Sequence, residues 1–174
     1  MAAREATRDG SRRPPSKSGL QAVPRLITVV GIVAALLLVA TEFSPVASVD
    51  VASGSCEVIQ DTDPELADRC ELSGLERNGG SFLLLAVLCG VMAWGAGVGG
   101  SRPAAAALVA VGVLVLGWSL LVDLPVTDET GALGRNFEGA TASAGAGLTL
   151  ELVGGALARA AGLAGLLRPR PPAA

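Results

Sequence analysis

The sequence predicts an all-α membrane protein: a four-helix transmembrane bundle preceded by a disordered basic tail. Four apolar segments, at about residues 26–46, 82–98, 104–122 and 148–167, come close to the roughly 20 helical residues that cross hydrocarbon about 30 Å thick. The chain is 51% hydrophobic but contains only two Trp, three Phe and no Tyr, against 23 Gly. Small apolar residues of this kind are typical of membrane helices that pack closely.

Residues 1–24 are predicted to be a tail without fixed structure. The tail holds four Arg, one Lys and two adjacent prolines, and it has no apolar stripe to bury. Its positive charge would hold it close to an anionic lipid leaflet.

The first span, residues 26–46, directly follows Pro24 and Arg25. A secretory signal peptide is the alternative interpretation, but its apolar region would extend over only about 7–15 residues. This segment is longer, and no small-residue cleavage pattern follows it closely. We therefore expect an uncleaved transmembrane helix.

An acidic outer loop, residues 46–80, is predicted to follow, with eight Asp or Glu against two Arg. It contains Cys56 and Cys70. The distribution of basic residues along the chain predicts that this loop lies on the oxidising side of the membrane, where disulfides persist. A bridge between Cys56 and Cys70 would close a loop of about 15 residues and stabilise the fold by roughly 3 kcal/mol on the chain-entropy account. We expect a disulfide; the alternative is a pair of free thiols.

The remaining spans are joined by connections of very different length. Residues 99–103 are so few that the second and third spans must be antiparallel neighbours. Residues 123–147 form a second polar outer loop, whose last part is rich in Gly, Ala and Ser and therefore flexible. After the fourth span, residues 168–174 form a short tail with Arg and Pro.

The distribution of basic residues predicts the orientation. Nine Lys or Arg flank the spans on the side of the two termini, and three lie in the loops on the opposite side. Because cytoplasmic segments carry the excess of Lys and Arg, both termini are predicted to be cytoplasmic. The high content of Ala, Gly, Arg and Pro suggests a bacterial source, so we expect a multi-pass protein of a bacterial plasma membrane.

Small residues recur on one face of three spans. At about 100° per residue, six of the glycines and alanines of the fourth span fall within one arc of about 120°, namely Gly154, Gly155, Ala158, Ala161, Gly162 and Gly165. The first and third spans have similar faces. The residues expected at helix–helix contacts are Gly31, Ala35, Gly112, Gly155, Ala158 and Gly162.

The same faces carry Glu42, Asp123 and Glu151, close to the predicted outer ends of the spans. Two interpretations are open. The carboxyl groups either reach interfacial water and bond to neighbouring helices, or they converge on a cation or proton site at an outer vestibule. In the second case, mutual repulsion would keep at least one of them protonated. Acidic residues inside a membrane are candidates for function.

Arg159 completes the candidate polar intramembrane site. It lies within about two residues of the middle of the fourth span, where insertion costs an Arg roughly 2.5–3.5 kcal/mol. An acid from another helix, a carbonyl or water would offset this cost; alternatively, the span sits shallower and Arg159 lies near the inner interface. Glu151 is about 12 Å away along the helix, too far for a direct pair.

The sequence also excludes functional classes. It contains no His, which excludes imidazole chemistry, and we find no phosphate-binding loop, cofactor motif, metal-ligand pattern or nucleic-acid-binding motif. We predict a non-enzymatic accessory or structural protein that acts through helix–helix and outer-loop contacts. The alternative is a small transporter or channel that uses the outer carboxylates and Arg159. The expected partners are the lipid bilayer and either further copies of the chain or a larger membrane complex.

Overall fold

A computed structural model describes residues 17–50, 71–128 and 139–168 of the chain. The described part is mostly helical, and three of its helices are long and apolar enough to cross a membrane. Their length and composition indicate a membrane-embedded protein.

The first of these helices is α1 (Lys17–Glu42), which is apolar from Ala22 onwards. The second is a helical run from Arg102 to Val126, and the third is α6 (Ala146–Leu167). A fourth apolar helix, α3 (Ser81–Gly97), is shorter. The helical run consists of α4 (Arg102–Trp118), a π-helix (Ser119–Asp123) and the single turn α5 (Leu124–Val126).

Signals in the sequence explain where two helices begin. The Ser101 hydroxyl accepts a hydrogen bond from an N–H in the first turn of α4, at 3.4 Å, and Pro103 lies in that turn, where no N–H is needed. The short helix α2 (Gly74–Asn78) begins with a capping box between Ser73 and Glu76. Both caps satisfy amides that would otherwise lack partners at a helix start.

The prediction of an all-α protein is incomplete, because the connections also form a three-stranded antiparallel sheet. Its strands are β1 (Pro45–Asp50), β2 (Glu71–Ser73) and β3 (Thr141–Ala144), in the order β2-β1-β3. Between β1 and β3, the hydroxyls of Ser48 and Ser143 lie 3.0 Å apart although the two residues are 95 positions apart in the chain. The sheet thus joins the segment after α1 to the segment before α6.

Two predicted boundaries of the first span change. The sequence predicts an end near residue 46, but α1 ends at Glu42, and Pro45, which has no N–H to continue a helix, opens β1. Residues 17–24, expected to belong to the disordered tail, are the first part of α1.

The predicted outer loops are more regular than expected. The loop at 46–80 includes most of β1 together with β2 and α2, and the loop at 123–147 includes α5 and β3. Cys56 and Cys70 lie outside the described residues, so their disulfide stays a prediction.

The helices pack through small residues. α1 packs against α3 and α6, and α4 packs against α6 and, less extensively, α3. Gly31 of α1 faces Ala93 of α3, and Gly112 of α4 faces Gly155 of α6. The core between the helices includes Ile27, Leu38, Cys89, Leu108, Val111 and Val115. The sheet lies at the end of the helices where α1 ends and α3 begins, which we call the sheet end.

Candidate functional site

The structure brings three acidic side chains together at the sheet end of the helices. Glu42 is the last residue of α1, Asp123 ends the π-helix, and Glu151 lies in the second turn of α6. All three are fully buried, with no exposed side-chain surface. The Glu151 carboxyl group is close enough to Asp123 and Glu42 to interact electrostatically with both. We call these three residues the carboxyl cluster.

Glu42 connects α1 to the start of α3. Its Oε1 accepts a hydrogen bond from the Phe82 N–H at 2.8 Å. Phe82 is in the first turn of α3, where amides lack partners within the helix and the helix dipole favours a negative charge. The second oxygen, Oε2, is buried and has no hydrogen-bond partner among the described residues.

Asp123 connects the π-helix to α2. The Arg77 Nε donates to Asp123 Oδ1 at 3.3 Å, and the same guanidinium donates to the Val122 carbonyl at 3.2 Å. The Arg77 side chain is 29% exposed, whereas Asp123 is fully enclosed. Arg77 therefore covers the carboxyl cluster on the side of the connections and brings it one positive charge.

Glu151 connects α6 to the π-helix. Its Oε2 lies 2.9 Å from the Ser119 Oγ, and that hydroxyl also lies 2.9 Å from the Val115 carbonyl oxygen. The other carboxyl oxygen, Oε1, has no partner among the described residues, and the same holds for Oδ2 of Asp123.

Three polar residues of this end of the protein are not among the predicted site residues: Arg77, Asn78 and Ser119, although helical periodicity places Ser119 on the same face as Asp123. The Asn78 Oδ1 accepts the Trp118 indole N–H at 3.1 Å. One signal for α2 was readable, since Ser73 and Glu76 stand at capping-box spacing. A short helix predicted there would have placed Arg77 on an ordered element. Nothing in the local sequence pairs it with Asp123, 46 positions further on.

Arg159 does not join the carboxyl cluster. Its side chain is exposed, and no hydrogen bond or ion pair of it is found within residues 17–50, 71–128 and 139–168. Its backbone packs closely against Gly112 of α4. A Cβ added to Gly112 would lie only 2.6 Å from the backbone nitrogen of Arg159. Arg159 thus lies at the exposed edge of the seam between α4 and α6.

The small residues predicted at helix contacts are buried within this chain. Gly31, Ala35, Gly112, Gly155, Ala158 and Gly162 all lie between helices of one molecule. They are therefore used for internal packing, and association with another chain has to be argued from other residues.

The described residues contain no group of three or more acidic or Cys side chains placed to hold a metal ion. Comparison with protein-family models, with curated proteins and with solved structures finds no match to this chain. The carboxyl cluster and Arg159 are the candidate functional features of the described residues.

Proposed function

We propose that the protein is a non-enzymatic accessory subunit of a bacterial plasma membrane and that it associates with another membrane protein through Arg159. In this proposal α1, α3, α6 and the run from α4 to α5 all cross the bilayer as a four-helix bundle. The 17 residues of α3 cover about 26 Å, at the short end of the usual range. Both termini lie in the cytoplasm, and the sheet end faces outside.

The observation that carries this proposal is the exposed Arg159 guanidinium near the middle of α6, which has no ion pair with any residue that the structure describes. A charged side chain at that depth is costly unless it pairs, and such residues mark functional sites. The last residue of α6, Leu167, is eight residues further on, or about 12 Å along the axis. Helical side chains lean toward the helix N-terminus, so Arg159 leans away from the nearer membrane surface. The distance from Arg159 to the end of α6 and the orientation of its side chain both favour a partner within the membrane.

The partner is expected to be a different protein that carries an acidic residue on a membrane helix. A second copy of this chain would present no suitable acid from its described spans, since Glu42, Asp123 and Glu151 are all buried. The exposed acids Glu76 and Asp128 lie at the sheet end, far from Arg159 along the helices. A guanidinium and a carboxylate form a bidentate, charge-assisted pair that suits a low-dielectric contact.

Photo-crosslinking in native membranes tests the proposal. A photoreactive residue replaces Leu163, which is exposed one turn from Arg159, and in a matched control it replaces Val91, which is exposed on α3. We expect a discrete adduct with another membrane protein at position 163 and none at 91. The same adduct should be lost when Arg159→Leu is combined with the probe and should persist with Arg159→Lys, which keeps the charge.

Two results would contradict this function. Adducts with lipid alone at position 163 would mean that Arg159 faces the bilayer. An adduct of twice the mass of the chain would mean that the partner is a second copy.

A further inference from the structure

The contacts of the Ser119 hydroxyl carry an inference that goes beyond the proposed function. This hydroxyl has one hydrogen but lies 2.9 Å from two oxygens, the Val115 carbonyl and Glu151 Oε2. The carbonyl can only accept. If Ser119 donates to it, the contact with Glu151 becomes a hydrogen bond only when the carboxyl group supplies the hydrogen. A protonated Glu151 gives each contact its own hydrogen, whereas an ionised Glu151 leaves the single Ser119 hydrogen shared between two acceptors.

Charge balance in the carboxyl cluster points to the same residue. Asp123 pairs with Arg77, and Glu42 accepts an N–H at the start of α3, where the helix dipole favours an anion. Within the described parts of the chain, Glu151 has neither a cation nor a backbone N–H as a partner, and its hydrogen-bond contact is with the Ser119 hydroxyl. Its Oε1 and the Asp123 Oδ2 are both buried without a partner among the described residues. A second full charge beside Asp123 would therefore lack compensation in a site closed to water.

The other elements around Glu151 bring no further described charge. α1 contributes Glu42 and the π-helix contributes Asp123. α2 contributes Arg77, which forms its ion pair with Asp123. The spans of α3 and α4 contribute apolar side chains at this end. A metal ion is disfavoured because the described residues form no group of three or more ligands with suitable placement.

We infer that Glu151 is a proton-binding site: its carboxyl group holds a proton at neutral pH and donates it to Ser119 Oγ. Asp123 remains the anion that pairs with Arg77. The site lies at the sheet end, where it links α6 to the π-helix, so loss of the proton would place two adjacent carboxylates between these elements. The sheet end of the protein is then sensitive to the pH of the compartment it faces.

Infrared difference spectroscopy of the full-length protein in lipid tests this assignment. At pH 7 the wild type is expected to show the C=O stretch of a protonated carboxyl group, with the shift in D2O that an exchangeable hydrogen causes. The band should disappear in Glu151→Gln. It should persist in the matched variant Glu42→Gln, since the Glu42 oxygen accepts a hydrogen bond from the Phe82 N–H and the proton is assigned to Glu151.

A second measurement on the same proteins uses thermal unfolding between pH 5 and pH 9. If the folded state binds a proton that the unfolded state releases, the free energy of unfolding falls as pH rises. We expect this slope in the wild type and in Glu42→Gln, and we expect Glu151→Gln to lack this component. A wild type without the infrared band, or a band that survives in Glu151→Gln, overturns the assignment. So does stabilisation by Na⁺ or Ca²⁺ at constant pH in a protein without the band, because a metal ion would then supply the charge.

Discussion

The backbone of Gly112 in α4 lies directly against the backbone of Arg159 in α6. A Cβ at position 112 would stand 2.6 Å from the Arg159 nitrogen, 2.8 Å from its Cβ and 2.6 Å from the Gly155 carbonyl oxygen. Real Cβ atoms do not approach other atoms so closely, and two of these three atoms belong to the backbone. The approach of α4 to α6, and with it the position of Arg159, therefore depends on glycine at this site.

Gly112→Ala is accordingly expected to destabilise the protein by about 1–3 kcal/mol, because α4 and α6 must move apart. Thermal unfolding in detergent provides the measurement. Gly117→Ala in the same helix is the matched control, since a Cβ there meets nothing within 4 Å and the variant should be at least as stable as the wild type. Equal stability of the two variants would contradict the described contact between the helices.

Glu42→Ala is expected to lower the free energy of unfolding by about 1–3 kcal/mol, because the buried Phe82 N–H loses its acceptor. Glu42→Gln keeps an oxygen in place and should lose much less. The comparison separates the hydrogen bond from the charge. Alanine and glutamine variants of equal stability would mean that the Phe82 N–H does not depend on this side chain.

The pair of Arg77 and Asp123 is expected to be energetically coupled. Arg77→Ala leaves a fully buried carboxylate without its cation, so it should cost more than the removal of an ordinary surface Arg. A double-mutant cycle with Asp123→Asn should give a coupling of about 1 kcal/mol, limited by the partial exposure of Arg77. Strictly additive effects would show that the two side chains do not interact.

The predicted disulfide can be tested by counting thiols. The chain has three Cys, and Cys89 is buried in α3 with its Sγ 3.6 Å from the Gly31 carbonyl oxygen. A maleimide mass tag should label the unreduced, denatured protein once and the reduced, denatured protein three times. Three tags without reduction would mean that Cys56 and Cys70 are free thiols.

The helices were readable from the sequence because their signals are local. The predicted spans at 82–98 and 148–167 differ from α3 and α6 by at most two residues at either end. The sheet was not readable, since β2 and β3 have three and four residues and their pairing with β1 joins distant parts of the chain. Short polar strands carry too little alternation to indicate a partner.

The candidate site was predictable only in its residue types. Helical periodicity placed Glu42, Asp123 and Glu151 on packing faces, but it left open whether they reach interfacial water or converge. Whether the carboxyl groups converge depends on the angles at which the three helices pack. The sequence of a single helix does not determine those angles. From the sequence, Arg159 belongs with these acids only as a further charged residue within a span. Its position on α6 turns its side chain toward the exposed edge beside α4.

The strands β1 and β3 have a mechanical consequence. α1 ends at Glu42 and β1 starts at Pro45, while β3 ends at Ala144 and α6 starts at Ala146, so hardly any slack separates helix from strand. The Gly145 N–H, between β3 and α6, donates to the Val46 carbonyl of β1 at 2.8 Å. Because these junctions are short, a force applied to the sheet is transmitted to both α1 and α6. A displacement of the sheet is thus expected to displace α1 and α6 together.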